Sequence, residues 1–226
     1  MWSVRLTQRK VTEVILSWVT ERLGVAMYEA EDLILRDYLL SAAGVYNCRG
    51  GLNGDVPTNM SRRDFSNVNS TLSTANAFKF MNGKMGEDRF GTSPVRASYI
   101  MLANTELEPD FDGLEDFKSS WNYPNMENVC YSEYGNILNV RIFTSSLGAV
   151  QRNASMNSAD VYNNMVVGRE AYAHIDQDGY SSQLIYRDPI YSGPSALNAT
   201  LAIKFAQAQI ITQETWIRNF RCTLAA

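Results

Sequence analysis

The segment MYEAEDLILRDYLLSAAG, residues 27–44, constrains the fold more than any other part of the chain. Met27, Ala30, Ile34, Leu35, Tyr38, Leu39 and Ala42 recur at helical spacing and gather on one arc, with Glu29, Asp32 and Arg36 on the opposite arc. Gly44 supplies the stop that helices commonly take at their C-terminal end. The apolar arc is broad, which predicts a helix packed against a sheet or lying between layers. Whatever else the chain forms must accommodate this element.

The rest reads mainly as strands with one further helix. VTEVILSWVT, Val11 to Thr20, is rich in β-branched residues, and Val14, Leu16 and Trp18 alternate on one side, which predicts a strand. Residues 44–60 carry Gly44, Gly50, Gly51, Gly54 and Pro57 and read as a loop. Ser61 and Asp64 have the spacing of a capping box, and Phe65, Val68, Leu72 and Ala75 make the helical stripe behind it. VRASYIMLA reads as a buried strand entered through Pro94, and GLEDFKSS as a short helix with Glu115 and Asp116 in its first turn. NILNVRIFTSS predicts a strand. NNMVVGREAYAHI predicts a strand ending at Gly168 and then a short helix. RDPIYSGPS reads as a loop, and LAIKFAQAQIITQETWIRNFRC as two final strands, with Trp216, Arg218, Phe220 and Cys222 alternating with Ile217, Asn219 and Arg221. No regular βαβ alternation and no internal repeat is present, so the class is α+β.

Composition narrows the function. The 226 residues suffice for a real core, and 45% hydrophobic with 19% charged residues is ordinary for a globular chain. The formal charge of -4, from 20 basic and 24 acidic residues, gives no electrostatic reason to coat nucleic acid. It also lets many copies pack side by side without strong repulsion. Cys48, Cys130 and Cys222 are odd in number and far apart, which reads as reduced thiols, mostly buried, in a chain folded in a reducing cytoplasm. No apolar run approaches the ~20 residues of a membrane span. Glu13 interrupts the apolar part of the N-terminal stretch, which is a poor signal peptide. The 12 tyrosines, 9 methionines and 4 tryptophans are of the types enriched at protein interfaces.

The acidic run Glu106, Glu108, Asp110, Asp112, Glu115 and Asp116 invites a chemical reading. Glu108, Asp110, Asp112 and Gly113 imitate the opening of a calcium loop, but its twelfth position is Ser119 instead of a bidentate glutamate, and Pro109 lies inside it. Nothing nearby marks a carboxylate pair with divergent environments, as glycoside hydrolysis requires. A solvated turn leading into a helix explains the run more simply. His174 is the only histidine and has no nucleophile elbow to serve, and Cys48, Cys130, Cys222 and His174 contain no C-x-x-C pair for zinc. NCRGGLNGD lacks the Lys-Ser/Thr of a phosphate loop. No enzyme, metal site or cofactor emerges.

Four segments taken in order resemble the major capsid proteins of N-four-like podophages. SPVRASYIMLANTELEPDFDGL resembles that family's alanine-aromatic strand running into a polar turn. YSEYGNILNVRIFTSS resembles its glutamate-glycine and valine-arginine-aromatic strand, through Glu133, Gly135, Val140, Arg141 and Phe143. VVGREAYAHI matches a further step through Gly168, Arg169, Glu170, Ala171 and Tyr172, and RDPIYSGPSALNATLAIKFAQAQII an Asp-Pro loop and lysine strand through Asp188, Pro189 and Lys204.

The resemblance covers residues 27–222 and implies the Hong Kong 97-type (HK97-like) capsid fold, with a peripheral (P) domain on a long spine helix and an axial (A) domain. On that mapping residues 1–57 hold an extended-loop remnant and the spine helix, 58–185 are largely the A domain, and 186–226 return to the P domain. It implies a structural subunit without an active site, assembling with itself into hexamers and pentamers of an icosahedral head. Portal, decoration and scaffolding proteins are its further expected partners. Packaged double-stranded DNA meets the shell only loosely at its inner surface, and no membrane is involved. The expected location is the virion, after assembly in the host cytoplasm. Family members carry an N-terminal arm and an extended hairpin ahead of the spine, so the segment before Met27 is expected to be the returning strand of that hairpin, in a chain that is truncated, processed or lacks the arm. Candidate inter-subunit contacts are Val14, Leu16 and Trp18 on that strand and Glu108, Asp110 and Asp112 on the acidic turn. The alternatives are an encapsulin-like nanocompartment subunit and, of another class, a metal-dependent hydrolase using the Glu106–Asp116 carboxylates.

Overall fold

A computed structural model describes residues 2–80, 97–123, 129–130, 132–155, 158–176, 183–187 and 200–225, and for residues 2–15 the backbone course alone. The chain begins with α1 (Trp2–Ala42), a single helix of 41 residues. There follow β1 (Gly44–Asn47), α2 (Arg62–Thr74), β2 (Tyr99–Asn104), α3 (Glu108–Asp112) and β3 (Phe117–Ser119). Then come β4 (Glu133–Ile137), β5 (Val140–Ser145), β6 (Ala149–Gln151) and β7 (Val161–Val167). The chain finishes with β8 (Tyr172–Asp176), β9 (Gln183–Arg187), β10 (Thr200–Lys204), β11 (Gln207–Ile211) and β12 (Ile217–Cys222).

The expected helix over residues 27–42 is present, but it is the second half of a longer one. Val11 to Thr20 is helical and forms no strand. Extending an existing helix adds a hydrogen bond per residue without a second nucleation, whereas a β-branched residue costs at most about 0.7 kcal/mol relative to alanine. Propagation therefore overrides the local β preference, and the Thr20 hydroxyl donates to the Leu16 carbonyl at 2.8 Å as helical threonines do. The alternation also dissolves, because positions 14 and 18 share a side of a helix and position 16 lies opposite.

Two compact units divide the chain. One comprises residues 1–35 and 174–210, the other 36–173 and 211–226. The larger unit is built on a sheet ordered β1-β12-β7-β2-β5-β4-β3, with β6 pairing on β7. β1 with β12 and β2 with β5 are parallel, and the remaining pairs are antiparallel. Every residue of β7 is buried, so both faces of the sheet are covered at its centre. The capping box on α2 is complete, with Ser61 and Asp64 exchanging hydrogen bonds. Its Phe65, Val68 and Leu72 are buried in one core with Tyr99, Met101, Phe111, Ile142, Tyr162 and Phe220. Phe220 stands at the middle, 4.8 Å from the Phe65 ring and stacked on Tyr46 at 6.0 Å. On the other face, the pleat places buried Ile217 and Asn219 opposite Val167 and Met165. Both faces of β12 are thus occupied, and Arg218 and Arg221 are half-buried. The smaller unit holds α1 up to Leu35 and two ribbons, antiparallel β9–β10 and β8 with β11.

Four further expectations are corrected. The NILNVRIFTSS strand belongs to a hairpin of β4 and β5, reversed where Leu138 takes a φ of 53°. GLEDFKSS is not a helix. The helical turn comes earlier, at α3, started by Pro109 in its first turn and ended before a bend where Asp116 has φ 66°. Buried Leu107 and Phe111 pin that turn, and Phe117 stacks on Tyr134 at 5.7 Å, which holds β3 in the sheet. After Gly168 the chain makes a turn at Glu170 (φ 64°) and enters β8 instead of a helix. The final segment forms β10, β11 and β12, three strands where two were expected. Pro94 and residues 188–195 of the RDPIYSGPS loop lie outside the described residues.

Phe220 packs on Phe65 of α2 and on Tyr46 of β1, so Phe220→Ala is expected to lower the unfolding free energy of the larger unit by about 3–5 kcal/mol in urea titration. A loss under about 1 kcal/mol would mean that the core is not centred there.

Candidate functional site

The acidic run does not converge. Asn104 caps the turn, its side-chain oxygen accepting from the Glu106 N–H at 2.9 Å. Glu106 then accepts hydrogen bonds from the Tyr162 hydroxyl and, at 3.0 Å, from Arg152. Arg152 also donates to Asp160 at 2.6 Å. Asp110 accepts from the backbone N–H of Ala225 at 2.9 Å, Asp112 from the Tyr134 hydroxyl at 2.8 Å, and Asp116 from Arg62 at 2.5 Å. These carboxylates fasten the turn to four separate segments: the β6–β7 region, β4, α2 and the C-terminal residues. Among the described residues no group of His, Cys, Asp and Glu side chains comes together to hold a metal. The hydrolase alternative therefore finds no shared focus for its oxygens.

The hydrogen bond from Tyr162, followed by that from Arg152, holds the Glu106 pKa below its ordinary value. Arg152 and the Asn153 N–H do the same for Asp160. Burial, reinforced by the Glu106 carboxylate, pushes Tyr162 up to about 12.

Sequence reasoning placed Glu133, Gly135, Val140, Arg141 and Phe143 in one motif without saying what they do. In space they are the β4–β5 hairpin. Glu133, whose side chain is wholly buried, forms a two-pronged ion pair with Arg141, one arm of which is 2.9 Å long. The Tyr123 hydroxyl donates to the same carboxylate at 3.1 Å and the Cys130 N–H at 3.3 Å. The Arg141 guanidinium also lies 5.8 Å from the Phe143 ring. Gly135 is required by space, since a Cβ there would stand 2.5 Å from the Lys118 carbonyl oxygen and 2.6 Å from the Phe117 ring. Val140 is fully buried. Gly168 ends β7 where a Cβ would meet Ala77 and the Phe78 carbonyl oxygen at 3.2 Å, and buried Ala171 accepts from Thr212 and Gln213 through its carbonyl. Asp188 and Pro189 lie outside the described residues, and Lys204 is an exposed residue of β10.

The glycine-rich loop does bind an anion, but the anion is the chain's own. Gly50 and Gly51 have φ of 62° and 91°, and the Gly51 N–H donates to the Asp64 carboxylate at 2.8 Å. That carboxylate is fully buried and also accepts from the Tyr46 hydroxyl and from Ser61. The capping-box spacing located Asp64. Nothing in the linear sequence marked it as the anchor of a loop thirteen residues upstream. His174 is exposed on β8. Cys48 and Cys222 are buried, Cys130 is exposed, and all three are free thiols. Of the other sequence candidates, Trp18 is exposed on α1, Leu16 is half-buried there, and Val14 falls on the part known by backbone alone.

No protein-family model and no curated protein matches the chain by sequence. Solved structures do match. A capsid of Ralstonia phage GP4 superposes with a TM-score of 0.60 at 14% identity, over 91% of this chain and 66% of that one. A structure from Mycobacterium phage Che8 gives 0.55 at 14% identity, over 89% and 61%. The holo-SrpI encapsulin complex from Synechococcus elongatus gives 0.55 at 12% identity, over 88% and 62%. The fold is the HK97-like capsid fold. At these identities the likeness is one of fold, and the chain spans just over three fifths to two thirds of the length of the structures it matches. Within the HK97-like fold of this chain, the Glu133–Arg141 pair and the Asp64 anchor are structural centres, the first clasping the β4–β5 hairpin and the second tying the glycine loop to α2.

Two outcomes follow for these centres. Arg141→Met leaves Glu133 buried without its partner and is expected to cost about 3–5 kcal/mol in urea titration, while the double variant Glu133→Met/Arg141→Met loses less than the single one. If the single variant is the milder, the pair is not the centre of the hairpin. For Arg152, the depressed pKa values of Glu106 and Asp160 mean that its stabilisation is complete above the ordinary carboxylate range, about pH 4, and is lost as pH falls through the lower folded values. Arg152→Gln should be slightly less stable than the parent at pH 7 and equal to it in acid. A difference that persists unchanged into acid would refute this account.

Proposed function

We propose that this chain is the shell-forming part of a tailed-phage major capsid protein, of the N-four-like podophage kind. The observation that carries the reading is the HK97-like fold, matched over about nine tenths of this chain in a phage capsid, a second phage structure and an encapsulin. The ordered motif resemblance supports the phage assignment, and the buried Glu133–Arg141 hairpin supplies a physical reason for the residues that carry it. The subunit does its work by geometry. Heterologous contacts repeated around five-fold and six-fold capsomers close a shell, and each contact can be modest because several neighbours act on every subunit.

On this reading α1 is the spine helix, residues 58–185 form most of the axial domain, and 186–226 return to the peripheral one, with β12 entering the axial sheet beside β7. Val14, Leu16, Trp18, Glu108, Asp110 and Asp112 remain candidate contacts between subunits, the two aspartates also serving within the chain. Portal, decoration and scaffolding proteins are the expected partners in the virion, with assembly in the host cytoplasm. At a net charge of -4 the shell leaves neutralisation of packaged DNA mainly to small cations. The encapsulin likeness supports a second reading, a nanocompartment enclosing protein cargo.

Expression of the full-length protein, followed by electron microscopy, is expected to show closed shells of uniform diameter. Particles purified from infected cells should contain double-stranded DNA. Shells holding a co-purified enzyme and no DNA would favour the encapsulin reading, and a monomer at every concentration would refute both.

A further inference from the structure

Two of the three cysteines meet in the core of the larger unit. β1 and β12 run parallel, in register from Gly44 beside Arg218 to Asn47 beside Arg221. The Cys48 N–H donates to the Arg221 carbonyl at 2.9 Å, which carries that register on to Cys48 beside Cys222. Side chains two apart on a strand share a face, and the pair two residues earlier, Tyr46 and Phe220, is stacked at 6.0 Å. Cys48 and Cys222 therefore stand side by side on one face of the sheet, both fully buried and both free thiols. Neighbouring strands lie about 4.8 Å apart, within the range of roughly 4.4–6.8 Å between Cα atoms over which a disulfide forms. In keeping with that closeness, burial and then the neighbouring Cys222 push the Cys48 thiol up. Burial pushes Cys222 up to about 12, opposed by a hydrogen bond from Asn164 at 3.3 Å.

β1 is four residues long and stands at one end of the strand order. At Cys48 it hands over to another segment: the Thr58 N–H donates to the Cys48 carbonyl at 2.7 Å, and the Thr223 N–H to the Thr58 carbonyl at 3.1 Å. Short terminal segments of this kind open locally without global unfolding. We propose that Cys48 and Cys222 are a modification site, a cross-strand thiol pair that hydrogen peroxide closes to a disulfide when the β1 end of the sheet opens. Cys222, which receives the Asn164 hydrogen bond, reacts first. Its sulfur attacks one peroxide oxygen, the O–O bond breaks, and a sulfenic acid and one water result. The Cys48 sulfur then attacks the sulfenic sulfur, the S–O bond breaks, and the hydroxyl leaves with the Cys48 proton as a second water. The two thiols lose two electrons in all, and the peroxide takes them up. The bond ties the strand that follows α1 to β12 and closes a loop holding most of the chain, the case in which a cross-link restricts the unfolded state most. The inference does not depend on the shell reading. Joined to it, the thiols stay reduced during assembly in a cytoplasm, and the tie forms once a particle meets an oxidising medium.

Mass spectrometry on the full-length protein tests it, in a Cys130→Ser background so that the exposed thiol does not compete. After hydrogen peroxide in native buffer, blocking of the remaining thiols in denaturant and digestion without reductant, the Cys48 and Cys222 peptides are expected to be joined, lighter than their sum by two hydrogens. Urea below the unfolding transition should speed closure at least about tenfold, because it raises the population of the open end. The closed protein should unfold at a higher urea concentration and return to the parent midpoint with dithiothreitol. Cys48→Ala should show neither the link nor the shift. Cys48 and Cys222 both recovered as blocked thiols, a sulfinic acid at Cys222 without a link, a link between two molecules on a non-reducing gel, or closure only in unfolded protein would each overturn the inference. Shells with both thiols still free after peroxide would overturn it and leave the shell reading standing. The link found in a protein that never assembles would support it while ending that reading.

Discussion

The burial of β7 on both faces is the constraint from which the larger unit follows. A strand with no solvent side needs partners along both edges and a covering layer on each face, because its backbone groups cannot turn to water. β12 and β2 supply the edges, with β6 adding to one end. On one face the covering layer is α2, set at its angle by the capping box and by the loop that Asp64 gathers. Two asparagines within β7 find side-chain partners on β12: the Asn219 amide donates to Asn163 at 3.2 Å, and Asn164 donates to the Cys222 sulfur at 3.3 Å, while the Asn164 side-chain oxygen is buried without a hydrogen bond.

The β4–β5 hairpin lies toward the end of the sheet, where β3 is only three residues long. Its Ile137, Val140 and Ile142 are fully buried in the main core, and the Glu133–Arg141 pair adds a polar clasp to that packing. Paired and hydrogen-bonded, the two charges add orientation more than net stability, since desolvation offsets most of their attraction. The acidic turn acts likewise at the surface, where Glu106, Asp110, Asp112 and Asp116 each meet different donors. A cluster that looks chemical in one dimension is a set of separate anchors in three.

Legibility from sequence varied with the range of the interaction. The helix over residues 27–42 and α2 with its Ser61–Asp64 cap rest on contacts within a few residues, and their spacing shows directly. The extended course after Gly168 and the third strand in the last segment depend on each other across the chain, as β8 pairs with β11, and the turn at Leu138 needs a left-handed residue that no turn signal marks, so periodicity alone misses them. The N-terminal strand fails for the same reason in reverse. Its local pattern favoured β structure, and the continuity of α1 prevailed.

What the sequence determined alone is the inventory: the helix over residues 27–42, a capped second helix, strands enough for a sheet and a nearly balanced charge. Those depend on composition and near-neighbour spacing, which the chain carries whatever its surroundings. The tertiary structure alone decided that Asp64 closes the glycine loop and that Glu133 finds Arg141 across a hairpin. Each pairing lies beyond the spacing of a single helix or strand, and its free energy is set by burial and geometry that no local pattern encodes.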